Sequence, residues 1–140
     1  MSTRAEQLAM GLDEFLQSTS DVEAAAVVSV DGLTMASALP PQIEEDRLGA
    51  MAAALLSLGE KAAEGLGRGN LAQVFVEGEY GFVFLMAAGE TAVLAAITRP
   101  SCKIGLVLYE MRDACQRIAN VLDQPVATVS ELRAAPDLLS

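Results

Sequence analysis

The chain has 140 residues, 52% of them apolar, and its 19 acidic against 9 basic side chains leave a net charge of −10. That length suits one domain whose core stands without disulfides or metals. The acidic balance argues against nucleic acid and anionic membrane as partners, since both require a positive surface.

Cys102 and Cys115 are the only cysteines, and no secretory segment opens the chain. They therefore read as reduced thiols in a cytoplasmic protein. Every apolar run is broken by Gly, Glu or Arg well short of the ~18–20 residues that span a bilayer, so no membrane insertion is expected.

Thr3-Arg4-Ala5-Glu6 fits a capping box, with Thr3 as the N-cap. Behind it Leu8, Leu12, Phe15 and Leu16 form the apolar stripe of a first helix ending near Ser18–Ser20. Val22–Val30 reads as a strand, Asp31-Gly32 as a type I′ hairpin turn, and Leu33–Leu39 as the returning strand. Pro40-Pro41 stops it, and Glu44, Glu45 and Asp46 set negative charge at the positive end of the next helix.

That helix, from about Glu44 to Leu66, is the unusual stretch. Leu48, Met51, Leu55, Leu58, Ala62 and Leu66 recur at helical spacing and are expected to form its buried face. The opposite side carries Gly49, Ala50, Ala53, Ala54 and Ser57, and no charge occurs between Leu48 and Gly59. A helix without a solvating face is expected to be covered on both sides. Gly49, Ala53 and Ser57, four residues apart, would let a second helix approach closely, an analogy with membrane helix pairs. The plainer alternative is that Ala, the best helix former, fills an undemanding surface. Gly65-Leu66-Gly67-Arg68-Gly69-Asn70 then ends the helix.

Three strands follow, Leu71–Glu77, Tyr80–Ala87 and Thr91–Thr98, joined by hairpin-length links. Tyr80, Phe82, Phe84 and Met86 alternate with Val83, Leu85 and Ala87. In the last strand Leu94 and Ala96 oppose Val93, Ala95 and Ile97. Both sheet faces are apolar, so helices must cover both. The third helix carries Ile104, Val107, Leu108, Met111, Cys115, Ile118 and Leu122 on one face. The expected fold is α/β (α+β): a five-stranded antiparallel sheet with the central helix on one face and the two terminal helices on the other. Residues 1–122 form this domain and 123–140 a weakly patterned tail.

Chemical motifs are sparse. The chain has no histidine, the usual general base and zinc nitrogen. Cys102 and Cys115 are too isolated for a metal site, and the helical carboxylates sit among polar neighbours. Gly65-x-Gly67-x-Gly69 lies between helix and strand, the reverse of a phosphate-binding loop. No catalytic, cofactor-binding or metal-binding residue is assigned, and the protein is not expected to be an enzyme. Met51, Met86 and Met111 fall on core-facing positions. Cys115 reads as inert and Cys102 as the more reactive thiol. Leu71–Glu77 has neither proline nor lysine, so as a sheet edge it would be undefended. An undefended edge beside an uncharged helix points to a two-fold homodimer.

The segments Ala26-Val27-Val28-Ser29-Val30-Asp31-Gly32-Leu33, LGAMAAALLSLGEKAAEGLGRGNLAQVFVEGEYGFVFLMAAG and Gly105-Leu106-Val107-Leu108 resemble, in order and spacing, the Roadblock family. That family includes dynein light chains and bacterial regulators of Ras-like GTPases. The resemblance implies a sandwich that dimerises through its central helix and the following strand into a ten-stranded sheet. It also implies that the paired helices form a platform for a small Ras-like GTPase, whose hydrolysis some relatives accelerate. Transferred by position, Gly49, Ala53, Leu56 and Ser57 with Gln73, Phe75 and Glu77 would lie near the two-fold axis. Arg47, Ala50, Ala54 and Lys61 would lie nearer the platform surface. The rival reading is a structural adaptor with no GTPase contact. A small-molecule sensor is disfavoured by the few aromatic residues and the lack of a polar cluster.

Overall fold

Thr3 caps the first helix as its sequence requires: its hydroxyl accepts the backbone N–H of Glu6 at 3.1 Å. The computed structural model describes residues 3–124. Of the expected tail only Asp123 and Gln124 fall among these, and the remainder lies outside the described residues. The elements are α1 (Arg4–Ser18), β1 (Val22–Ser29), β2 (Thr34–Ala38), α2 (Glu45–Gly65), β3 (Val74–Gly78), β4 (Gly81–Ala88), β5 (Ala92–Thr98) and α3 (Ile104–Leu122).

The strands form one antiparallel sheet in the order β2-β1-β5-β4-β3. β1 and β5 occupy the interior, which is why both read as near-continuous apolar runs. Below the sheet, α1 and α3 close on Phe82, Phe84, Met86, Leu94 and Ala96. Above it, α2 lies on Ala26, Val28, Leu85, Val93 and Ala95. The expected sandwich, one helix over and two under a five-stranded sheet, is the observed one. No helix among the described residues is long and apolar enough to cross a membrane.

Asp21 joins the two ends of the lower layer. Its carboxylate accepts Arg99 Nη2 at 2.8 Å and the backbone N–H of Lys103, the N-cap of α3, at 2.9 Å. The N–H of Lys103 and the Arg99 guanidinium hold its carboxyl below the ordinary carboxylate value. In the same layer burial pushes the Cys115 thiol up to about 12, in keeping with an inert side chain. Met86 and Met111 are buried as expected.

The first hairpin differs from expectation. A type I′ turn needs positive φ at both central residues, but among Asp31 and Gly32 only Gly32 has it, at +91°. The N–H of Gly32 donates to the Ser29 carbonyl at 2.9 Å, and that of Ser29 to the Leu33 carbonyl at 2.7 Å. The turn is therefore centred on Val30 and Asp31 with Gly32 as a left-handed bulge, and β2 starts at Thr34 rather than Leu33. β3 also starts later, at Val74 instead of Leu71. Leu71 leaves the sheet plane to pack beneath α2, where its side chain and that of Val74 close on Gly59. Gln73 thus belongs to the connector, not to the strand.

Candidate functional site

α2 starts beside β2, where the Thr34 hydroxyl donates to the Glu45 carbonyl at 3.2 Å and the Ser37 hydroxyl to the Glu45 carboxylate. It ends beyond β3, having crossed the sheet. Its sheet-facing stripe is Leu48, Gly49, Ala52 and Leu56, not the stripe the spacing predicts. Of the expected core positions only Leu48 is fully buried; Leu55 is half-buried, while Met51 is 51%, Leu58 66% and Leu66 74% exposed.

Gly49 explains this rotation. A Cβ on it would lie 2.4 Å from the Gly32 carbonyl oxygen, so the helix rests on the β1–β2 turn at a point where no side chain fits. Two of the residues expected near a two-fold axis, Gly49 and Leu56, are consequently corrected to the intramolecular side of the helix. Ala53 is half-buried beside Gly32, and Ser57 is exposed. Met51, expected in the core, lies on the open flank.

The outward side of α2 carries Arg47, Ala50, Ala54, Ser57 and Lys61, all exposed at spacings of three and four. They form one stripe with a cation near each end and small side chains between. Neither Arg47 nor Lys61 has a salt-bridge partner among the described residues.

β3 is a sheet edge, bonded to β4 on one side and to no strand on the other among the described residues. Phe75 is 52% exposed and its ring lies 5.8 Å from that of Phe84 and 6.4 Å from that of Phe82, on the α3 side of the sheet. Glu77 alternates onto that same side and Val76 onto the α2 side, at 43% exposure. The sheet therefore separates Phe75 and Glu77 from the exposed residues of α2, and Gln73 is half-buried in the connector.

Sequence reasoning missed a cleft on the flank of α2. Ile43, Leu48, Met51, Ala52 and Leu55 form its wall, and Val76, Val83, Leu85 and Ile97 its floor, around about 360 Å³. The signal was present in the alternation of Val83, Leu85 and Ile97, which marked a second apolar face wider than one helix covers. This side thus combines apolar area with Arg47 and Lys61, neither of them in a salt bridge among the described residues.

Comparison with known proteins agrees with this geometry. The model of the Roadblock/LC7 domain matches residues 8–98, from α1 through β5. An uncharacterised protein of Methanocaldococcus jannaschii is 35% identical over 103 residues, covering 74% of this chain and 90% of its own. A Roadblock/LC7 domain from Streptomyces avermitilis superposes with a TM-score of 0.77 at 26% identity, covering 83% of this chain and 98% of that one. MglB of Myxococcus xanthus does so with a TM-score of 0.81 at 17% identity, over 92% and 97% of the two chains, a likeness of fold alone. The chain belongs to the Roadblock/LC7 family.

Proposed function

We propose that the protein is a non-enzymatic, cytoplasmic homodimeric regulator or scaffold that binds a small Ras-like GTPase across its paired α2 helices. The observation that carries this reading is the conjunction of a β3 edge unpaired among the described residues with an α2 whose outward stripe is exposed and has only the small Ala50, Ala54 and Ser57 between Arg47 and Lys61. Pairing two β3 edges keeps both α2 helices on one side of a continuous sheet. Such a surface offers small residues for close approach and Arg47 and Lys61 for carboxylates on the partner. A stable contact needs ~800 Å² from each partner, which two adjacent helices of this length can supply. The GTPase is the partner that the family resemblance implies; contact would bias its switch conformation or its hydrolysis rate, without a catalytic group from this chain.

The test is to mix the purified protein with Ras-like GTPases of the same genome, loaded with GDP or a GTP analogue, and to measure binding and phosphate release. Binding that depends on the nucleotide, weakened at least tenfold by Ala54→Glu with the dimer intact, is the expected outcome. Absence of binding in both nucleotide states would favour the adaptor reading instead.

A further inference from the structure

The outward stripe of α2 lacks one thing for the role proposed above. Between Arg47 and Lys61 it offers only Ala50, Ala54 and Ser57, whereas interfaces draw most of their affinity from a few large side chains seated in pockets. The β1–β2 turn carries the apolar side chains that the stripe does not. Its Gly32 lies against the flank of α2, where a Cβ would meet Ala50 Cα at 3.5 Å and Ala53 Cβ at 3.7 Å. Two residues on, the Thr34 hydroxyl donates to the Glu45 carbonyl of the same helix at 3.2 Å. Leu33, between these two contacts, is therefore held beside the first turns of α2 with its side chain 71% exposed. Val30, across the turn, is 46% exposed. Both are fixed before any partner arrives. The Leu33 N–H donates to Ser29 Oγ at 3.1 Å, its carbonyl accepts the Ser29 N–H at 2.7 Å, and the Val30 N–H donates to the Thr91 carbonyl at 3.0 Å. Little ordering remains to be done when such a turn binds.

We infer that Leu33 and Val30 of the β1–β2 turn are the apolar anchors of the partner-binding surface, which the turn and the outward stripe of α2 form together. This rests on the partner of the proposed function and adds the chemistry that its face must present. Arg47 and Lys61 stand fourteen residues apart, ~21 Å along the helix, and neither is in a salt bridge among the described residues. In a chain of net charge −10, two such cations select carboxylates on the other surface. The fitting face therefore carries carboxylates ~21 Å apart and, to one side within about a helix diameter of ~10 Å, an apolar pocket that takes Leu33. The other large exposed side chains of α2 are placed elsewhere. Met51 lines the cleft on the opposite flank, together with Val76 of the β3 edge that the proposed dimer occupies. Leu58, seven residues after Met51, shares that flank. An exposed leucine beside a tight turn, where polar residues are the rule, has no packing role among the described residues.

Calorimetric titration of the full chain with Ras-like GTPases of the same genome, in both nucleotide states, reads the assignment in a dissociation constant. Leu33→Ala is expected to weaken binding about tenfold and Leu33→Asp further, while Leu33→Met, which keeps an apolar side chain of similar volume, stays within about threefold of the wild type. Val30→Ala should weaken binding about threefold. The control is Tyr109→Asp on α3, 66% exposed on the other side of the sheet, which should bind as the wild type does. Melting temperatures of Leu33→Ala and the wild type should coincide, since the side chain is exposed in the monomer. Wild-type binding that Leu33→Ala and Leu33→Asp both leave within about twofold overturns the anchor, as does a loss that Leu33→Met or Tyr109→Asp shares in full; either result leaves the proposed partner in place. A wild type that binds in neither nucleotide state overturns both.

Discussion

The two sides of the sheet are built from the same strands and end differently. Below, α1 and α3 bury Phe15, Phe84, Met111 and Ile118 completely, and Glu14 pairs with Arg117 across the two helices. Above, a single helix buries Leu48, Ala52 and Leu56 while Met51, Leu58 and Val76 stay in water. Alternating apolar residues supply both faces equally, so the difference lies in how much helix each face receives. The closed side buries its apolar residues under two helices, and the open side leaves apolar surface uncovered among the described residues.

Substitutions should separate the two sides sharply. Phe84→Ala, fully buried in the lower core, is expected to cost ~3–5 kcal/mol in urea unfolding. Leu55→Ala on the half-covered side should cost less than ~2 kcal/mol in the monomer, because its site already borders an open cleft. Equal losses would mean that the upper side is as closed as the lower.

Two glycines sharpen the contrast within helices. Gly49→Ala forces a Cβ against the Gly32 carbonyl oxygen, so backbone must move. Overpacking of ~1–3 kcal/mol should outweigh the ~1 kcal/mol that alanine gains in helix propensity. Gly105→Ala, in α3 with nothing within 4 Å of the added carbon, should instead stabilise by up to ~1 kcal/mol. Thermal melts of the pair should therefore move in opposite directions.

The smallest effect concerns the Asp21 clamp. Its folded pKa lies below the ordinary carboxylate value, so the stability it contributes is fully present above that ordinary value. It is lost as the pH falls from there through the folded pKa. Asp21→Asn should leave a shallower decline in unfolding free energy over that acidic interval, and an unaltered slope would show that the clamp is dispensable.

Much of this was readable in the residues. The cap at Thr3, the stripe Leu8, Leu12 and Phe15, and the opposition of Phe82 and Phe84 to Val83 and Leu85 all correspond to observed packing. The outward stripe of α2 was also legible in part: Arg47, Ala50, Ala54 and Lys61 are exposed together. The sheet-facing stripe was not, because Ala, Gly and Leu on several sides of the helix leave its rotation undetermined by periodicity. Gly49 and Leu56 were consequently assigned to the wrong side, and Met51 to the core.

The sequence by itself determined the order of elements, the two-sided sheet and the presence of an edge strand, because alternation and turn residues act locally. Tertiary structure decided which way α2 faces, since that depends on where the Gly32 turn meets Gly49, residues from separate elements whose contact no local pattern encodes. The cleft follows from the same contact: with the helix held there, Val76, Val83 and Ile97 lie beyond its reach.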